Sequence, residues 1–187
     1  MKRQDLPNII SILRIVLVLP VVWALLNNYF LWALVLFTIA GISDALDGFL
    51  AKHFHWESRL GSILDPLADK LLLIASFASL TWLGLIPVWL FWMALGRDFL
   101  IVIGGVAYHY LLGKFDLTPL WSSKFNTSLQ ILLVILVILQ PLWPSLTGMV
   151  NSFTWLVMAS ILISGTEYVV VWGSRAWKQV KGNKASD

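Results

Sequence analysis

Apolar positions in this chain come in runs too long for a buried strand or a one-sided surface helix. Six of them approach the ~20 residues that carry a helix across a bilayer: residues 8–26, 29–50, 61–83, 87–111, 123–139 and 146–172. Turn-forming residues separate three of the pairs, at Asn27-Asn28, at Gly84, and along Gln140-Pro141-Leu142-Trp143-Pro144. No internal repeat, low-complexity tract or linker interrupts the pattern. The expectation is a single all-α domain over residues 1–187, a polytopic membrane protein with six transmembrane helices.

Composition strengthens that reading. The chain is 59% hydrophobic and only 12% charged, with a mean hydropathy of +0.82, well outside the range of soluble domains. Having no cysteine, it has no disulfide, thiolate metal site or cysteine nucleophile. Met1-Lys2-Arg3 before an apolar run has the form of a signal peptide, but the run contains Arg14 and no small-residue cleavage site follows, so a retained first helix is expected. No Arg- and Ser-rich transit segment precedes it, which points to a bacterial inner (plasma) membrane.

The net charge of +3 raises nucleic acid as a partner, and the placement of the charges argues against it. Lys2 and Arg3 precede the first run, Lys52 and Arg59 lie between the second and third, and Lys114 and Lys124 at the junction of the fourth and fifth. Arg175, Lys178, Lys181 and Lys184 follow the sixth, whereas the connections around Asn27, Gly84 and Gln140 carry no lysine or arginine. The positive-inside rule puts both termini and the basic loops in the cytoplasm, with the basic residues beside anionic membrane lipid and no nucleic acid bound. Trp32, Trp56, Trp82, Trp89, Trp121, Trp143 and Trp172 fall near the run ends, where an aromatic belt sits. The basic tail after Trp172 reads as a surface-lying segment.

Against this apolar background the acids are conspicuous. Four of the ten, Asp44, Asp47, Asp65 and Asp69, occupy the cytoplasmic ends of the second and third runs. An aspartate at mid-bilayer costs roughly 2.5–3.5 kcal/mol, and four together repel unless positive charge intervenes. The basic residues close in sequence, Lys52 and Lys70, flank the cluster, which leaves bound divalent cations to neutralise it. Asp44 and Asp47 are three apart and Asp65 and Asp69 four apart, so each pair shares a helix face, and two antiparallel helices can bring all four to one centre. Oxygen-only ligands suit a hard ion, Mg2+ or Mn2+, and two such ions can clamp a diphosphate. A lone aspartate would read as a cap or a snorkelling charge; four in register do not.

The run Asp44-Ala-Leu-Asp47-Gly48-Phe-Leu-Ala51-Lys52, then eight residues, Gly61, Asp65 and Asp69, resembles the CDP-alcohol phosphotransferase signature, D-x-x-D-G-x-x-A-R, eight residues, G-x-x-x-D-x-x-x-D. Seven of its eight fixed positions match, the departure being Lys52 in place of arginine, which keeps the charge but loses the planar fork suited to phosphate. The resemblance implies a six-helix homodimer whose site opens to the cytoplasm. It also implies that Asp44, Asp47 and Asp65, helped by Asp69, ligate two metals, that Asp69 takes the acceptor hydroxyl proton, and that CDP-diacylglycerol gives its phosphatidyl group to the acceptor and releases CMP. Gly48, Ala51, Lys52 and Gly61 then belong to nucleotide binding, the two glycines by allowing close approach to the backbone.

Further stretches are similar to the cardiolipin synthase branch of that family: Leu6-Pro7-Asn8 through Arg14, Gly61 through Lys70, Leu85-Ile86-Pro87-Val88, Arg97-Asp98 and Ser123-Lys124-Phe125-Asn126-Thr127. The sister phosphatidylglycerophosphate synthases typically carry G-K-x-K-T at the last of these, so Asn126 stands where they have a second lysine. Loss of that cation disfavours the dianionic glycerol 3-phosphate more than the monoanionic diester of phosphatidylglycerol, which tilts the acceptor toward the latter. Arg97 and Lys124 are the expected acceptor-phosphate contacts; Asp98, adjacent in sequence, is expected to face away from Arg97.

Arg14 with Asn8 and Ser11 forms a polar stripe expected to pack on the metal site. His53 and His55 read as lipid-surface residues, and Glu167 fits no pattern. Two other classes remain open: a divalent-cation transporter, which needs the acids but not Gly48, Ala51 or Gly61 at those offsets, and a non-catalytic scaffold, which has no reason to bury acids.

Overall fold

A computed structural model of the chain describes residues 6–54, 61–112 and 121–183, with side chains over 10–44, 65, 67–106 and 121–174. Arg59, Lys114, Lys184, Trp56 and His55 therefore lie outside the described residues. The described chain is all-helical. α1 is Leu6–Leu26, α2 Phe30–Phe54, α3 Gly61–Trp82, α4 Val88–Leu112, α5 Trp121–Leu139 and α6 Thr147–Asn183, with one 3-10 turn at Pro144–Leu146.

Each expected turn has a local cause. At the end of α1, Tyr29 N donates to Ala24 O at 2.8 Å while Asn28 takes a positive φ of 60°, a conformation asparagine tolerates better than most residues. At the end of α3, Leu85 N donates to Leu80 O at 2.9 Å around Gly84, whose φ is 74°. After α5, Pro144 opens the 3-10 turn and Thr147 Oγ1 donates back to Pro144 O at 2.8 Å.

Among the described residues, three helices are long and apolar enough to cross a membrane, over Val88–Val106, Trp121–Leu139 and Pro144–Ser174. Apolar stretches also occupy Ile10–Leu26 of α1 and Phe30–Asp44 of α2 among the described residues, and α3 carries Asp65, Asp69 and Lys70 in its first half. The tail after Trp172 is helical, α6 continuing to Asn183.

The chain forms two compact units, residues 1–87 with 134–150, and residues 88–133 with 151–187. In the first unit α1 packs against both α2 and α3. Its inward stripe is Ser11, Arg14, Val21, Ala24 and Leu25; that of α2 is Ala33, Phe37 and Ala40. Fully buried alanines at 24, 33, 40 and 68 let the helices approach closely, as small residues do in membrane proteins. In the second unit α6 buries Thr154, Val157, Ile161, Ser164 and Tyr168, a three-four spacing that makes one continuous seam. Gly104 on α4 gives room to the Trp172 indole, whose ring stands edge-on to Tyr168 at 5.2 Å.

Trp32, Trp82, Trp89, Trp121 and Trp143 are exposed, as the belt reading expects of residues near the helix ends. Trp172 is half-buried against Gly104, so it serves packing as well as the surface.

Candidate functional site: an acidic cluster held by α1

The stripe that buries α2 ends on chemistry. Ala33, Phe37 and Ala40 recur at four and three residues, and the next position on that face is Asp44. On α3, Asp65 and Asp69 occupy the first turns of the face continued by Ala68, Leu72 and Leu73. Helical periodicity alone thus turns three carboxylates toward α1.

α1 meets them with two buried polar side chains. Arg14, 1% exposed as a residue, places Nη1 2.6 Å from Asp44 Oδ1 and donates from the same nitrogen to Asp69 Oδ1, also at 2.6 Å. Ser11, wholly buried, donates from Oγ to Asp65 Oδ1. Ser11 and Arg14 are three apart and share a face, so one turn of α1 engages acids from two other helices. The expected packing of the α1 stripe is found for Ser11 and Arg14; the side chain of Asn8 is outside the described residues.

The lysines nearest in sequence, Lys52 and Lys70, are not the only basic residues near the acids. Arg14 is interleaved between Asp44 and Asp69, a neighbour brought by tertiary packing from 55 residues away. One guanidinium offsets one carboxylate charge, so the cluster keeps an excess of negative charge. Asp44 and Asp69 also remain 42% and 46% exposed at the side chain, while that of Arg14 is 0% exposed.

That donor set fits a hard divalent cation: oxygen-only, anionic, and accessible from the side that Arg14 does not fill. Among the described residues no three of Asp, Glu, His or Cys come close enough together to form a finished metal cage. The side chains of Asp47, Ala51 and Lys52 on α2 lie outside the described ones, and the surroundings of Gly48 and Gly61 likewise. The backbone of these residues belongs to the last turns of α2 and the first residue of α3.

The second unit holds the other expected cations. Arg97 is buried in a polar network: Nη2 donates to Ser123 Oγ at 2.7 Å and to Ser164 Oγ at 2.6 Å, joining α4 to α5 and α6. Nη1 donates to Asp98 Oδ1 at 2.8 Å, which corrects the expectation that Asp98 faces away. Adjacent helix positions diverge by about 100°, but the long arginine side chain turns back to reach its neighbour. One turn along, the fully buried Asn126 accepts from Ser160 Oγ at 2.8 Å. Lys124 is exposed, with Nζ 5.5 Å from the centroid of the Trp121 ring, a cation–π distance.

Sequence reasoning missed Ser123, Ser160 and Ser164 as partners of these side chains. A signal was present, since a buried cation in an apolar helix requires hydroxyl or carboxylate partners, but which helix supplies them depends on packing.

Comparison with known proteins places the chain in a family. A family model for CDP-alcohol phosphatidyltransferase matches residues 4–172. A cardiolipin synthase (CMP-forming) of Rattus norvegicus is 32% identical over 193 residues, covering 95% of this chain and 64% of the rat protein. The Homo sapiens cardiolipin synthase (CMP-forming) is 38% identical over 145 residues, or 69% of this chain and 48% of the human protein. A CDP-diacylglycerol–glycerol-3-phosphate 3-phosphatidyltransferase of Aquifex aeolicus is 35% identical over 127 residues, 66% of this chain and 70% of that protein. The chain spans between about half and two-thirds of the length of the two cardiolipin synthases.

Proposed function

The chain belongs to the CDP-alcohol phosphatidyltransferase family, and on that premise we propose that it transfers the phosphatidyl group of CDP-diacylglycerol to phosphatidylglycerol, forming cardiolipin and releasing CMP. The observation that carries the reading is the convergence of Asp44, Asp65 and Asp69 on Ser11 and Arg14, at signature positions and in an otherwise apolar protein. The setting proposed is a bacterial inner membrane crossed six times, with both termini and the site on the cytoplasmic side; the lysine and arginine asymmetry supports it. A homodimer is carried by the family resemblance.

When bound by Asp44, Asp47, Asp65 and Asp69, divalent cations would supply charge stabilisation to the diphosphate and to the departing phosphate. The chain's own residues do the rest. Gly48 and Gly61, lacking side chains, admit the nucleotide close to the backbone, and Ala51 and Lys52 complete that segment, with Lys52 giving charge to a phosphate oxygen. Asp69 accepts from Arg14 through Oδ1 and is nearly half exposed, which leaves carboxylate surface to take a proton from the acceptor hydroxyl. The hydroxyl oxygen then bonds to the phosphorus that carries diacylglycerol, and the bond from that phosphorus to the bridging oxygen breaks with CMP as leaving group. Holding the two reactants in line supplies much of the acceleration. Arg97 and Lys124 are the cations proposed for the acceptor phosphate.

A second reading is favoured by a specific observation: the Aquifex relative is named for glycerol 3-phosphate, not for cardiolipin, so phosphatidylglycerophosphate synthesis is the alternative. Asn126 weighs against it, being neutral and engaged with Ser160 inside the helix packing. The test is the lipid product. CDP-diacylglycerol labelled in its phosphatidyl group, with phosphatidylglycerol as acceptor, should yield labelled cardiolipin. Label appearing only in phosphatidylglycerophosphate, after glycerol 3-phosphate is supplied, would establish the second reading.

A further inference from the structure

α1 contains two side chains that its role as an apolar helix does not explain. The other buried positions along its inner face, Val21, Ala24 and Leu25, are aliphatic, whereas Ser11 and Arg14 are polar and sequestered. A buried arginine in such a helix is expensive unless its hydrogen bonds are met. Here the same nitrogen serves Oδ1 of Asp44 and Oδ1 of Asp69, so those two oxygens can be no more than twice 2.6 Å apart. Ser11 does the corresponding service for Asp65.

We propose that Ser11 and Arg14 are positioning residues of the acidic cluster, holding Oδ1 of Asp65, Asp44 and Asp69 from their buried side and thereby setting the affinity with which these carboxylates take up a divalent cation. The inference rests on the reading that the aspartates bind metal, and goes beyond it by assigning α1 to the site.

Two opposing effects meet at Arg14. Its positive charge repels an incoming cation, while its hydrogen bonds draw together carboxylates on α2 and α3 that would otherwise push each other apart. The negative charge of three described aspartates exceeds that of one guanidinium, so the field at the cluster attracts cations with Arg14 in place. Orientation is what would be lost without it. Carboxylates that ligate metals are themselves hydrogen-bonded, and removing such a partner typically weakens metal binding by about 10–100-fold. The burial contrast agrees: the Arg14 side chain is enclosed while Asp44 and Asp69 are each nearly half open, so the arginine braces one side and leaves the other accessible. Lysine at position 14 would keep the charge on a single ammonium at the end of a different stem, and a serine-to-alanine change at 11 removes one hydrogen bond with little change in volume.

The experiment is direct Mn2+ binding, followed by the loss of the free-ion electron paramagnetic resonance signal, in the purified full-length chain and in R14Q, R14K, S11A and D44N, each checked for thermal melting. R14Q is expected to raise the Mn2+ Kd by about 10–100-fold, R14K by less, and S11A by several-fold with an unchanged melting curve. Should R14Q not fold, S11A and R14K decide. Unchanged or tighter Mn2+ binding in folded R14Q or S11A, with binding abolished in D44N, would overturn the positioning role alone. A wild-type chain that takes up no Mn2+, or a D44N variant that binds it as well as wild type, would overturn the metal reading and this inference with it.

Discussion

Arg14 on α1 and Asp69 on α3 meet at 2.6 Å although 55 residues separate them, and the same arginine nitrogen reaches Asp44 on α2. This one contact ties three helices together at the positions where the signature puts its carboxylates. It also brings the first helix into contact with the acidic cluster, although α1 lies outside the signature itself.

Asp69 is the proposed base, and its exposure leaves it able to meet a hydroxyl. Replacing it with asparagine preserves size and an oxygen ligand but removes the proton acceptor. D69N should lose about 100-fold or more in turnover while retaining weakened Mn2+ uptake. CMP release measured alongside metal binding checks this; full turnover in D69N would remove Asp69 from the base role.

Asn126 and Ser160 give a prediction about packing. Their 2.8 Å hydrogen bond joins α5 to α6 within buried surroundings. Interhelical hydrogen bonds of this kind average about 0.6 kcal/mol and reach about 1.7 kcal/mol. A double-mutant cycle with N126A and S160A, read from unfolding in detergent, should give a coupling in that range, and additive single effects would show that the pair does not interact.

Gly104 offers a sharper contrast. A Cβ there would lie 2.7 and 2.9 Å from atoms of the Trp172 ring, which is itself braced by Tyr168, whereas a Cβ at Gly96 meets nothing within 4 Å. G104A should destabilise by about 1–3 kcal/mol through overpacking. G96A should cause no loss, since alanine favours a helix by up to about 1 kcal/mol over glycine. Thermal melting of the two variants under one set of conditions decides it.

Local regularities carried most of what the sequence reveals. The turns at Asn28 and Gly84 follow from residues that accept positive φ, and the six apolar runs fall where the helices lie. Asp65 and Asp69 could be set on one helix face, and Asp44 and Asp47 on another, from their own spacing. Arg14 could be assigned to a stripe facing the acids but not to particular carboxylates, because those sit on other helices and helix-to-helix register is not written in any one run. Asp98 failed for the opposite reason: the reading treated side chains as short vectors from the helix axis, and arginine is long enough to defy them. Trp172 was placed at a run end by position, but its partner Gly104 becomes visible only once α4 and α6 have packed.

The most direct measurement of the account is CMP release from CDP-diacylglycerol by the purified chain in mixed micelles, with phosphatidylglycerol or glycerol 3-phosphate as sole acceptor, with Mn2+ or Mg2+ and with chelator. Release with phosphatidylglycerol is expected to fall below about a tenth when the cation is removed, because metal-supplied charge stabilisation is then withdrawn, and little release is expected with glycerol 3-phosphate. Release with glycerol 3-phosphate alone would contradict the acceptor. Release that survives chelation, or no CMP with either acceptor from folded protein, would contradict the central claim that the aspartates held by Arg14 and Ser11 run this transfer.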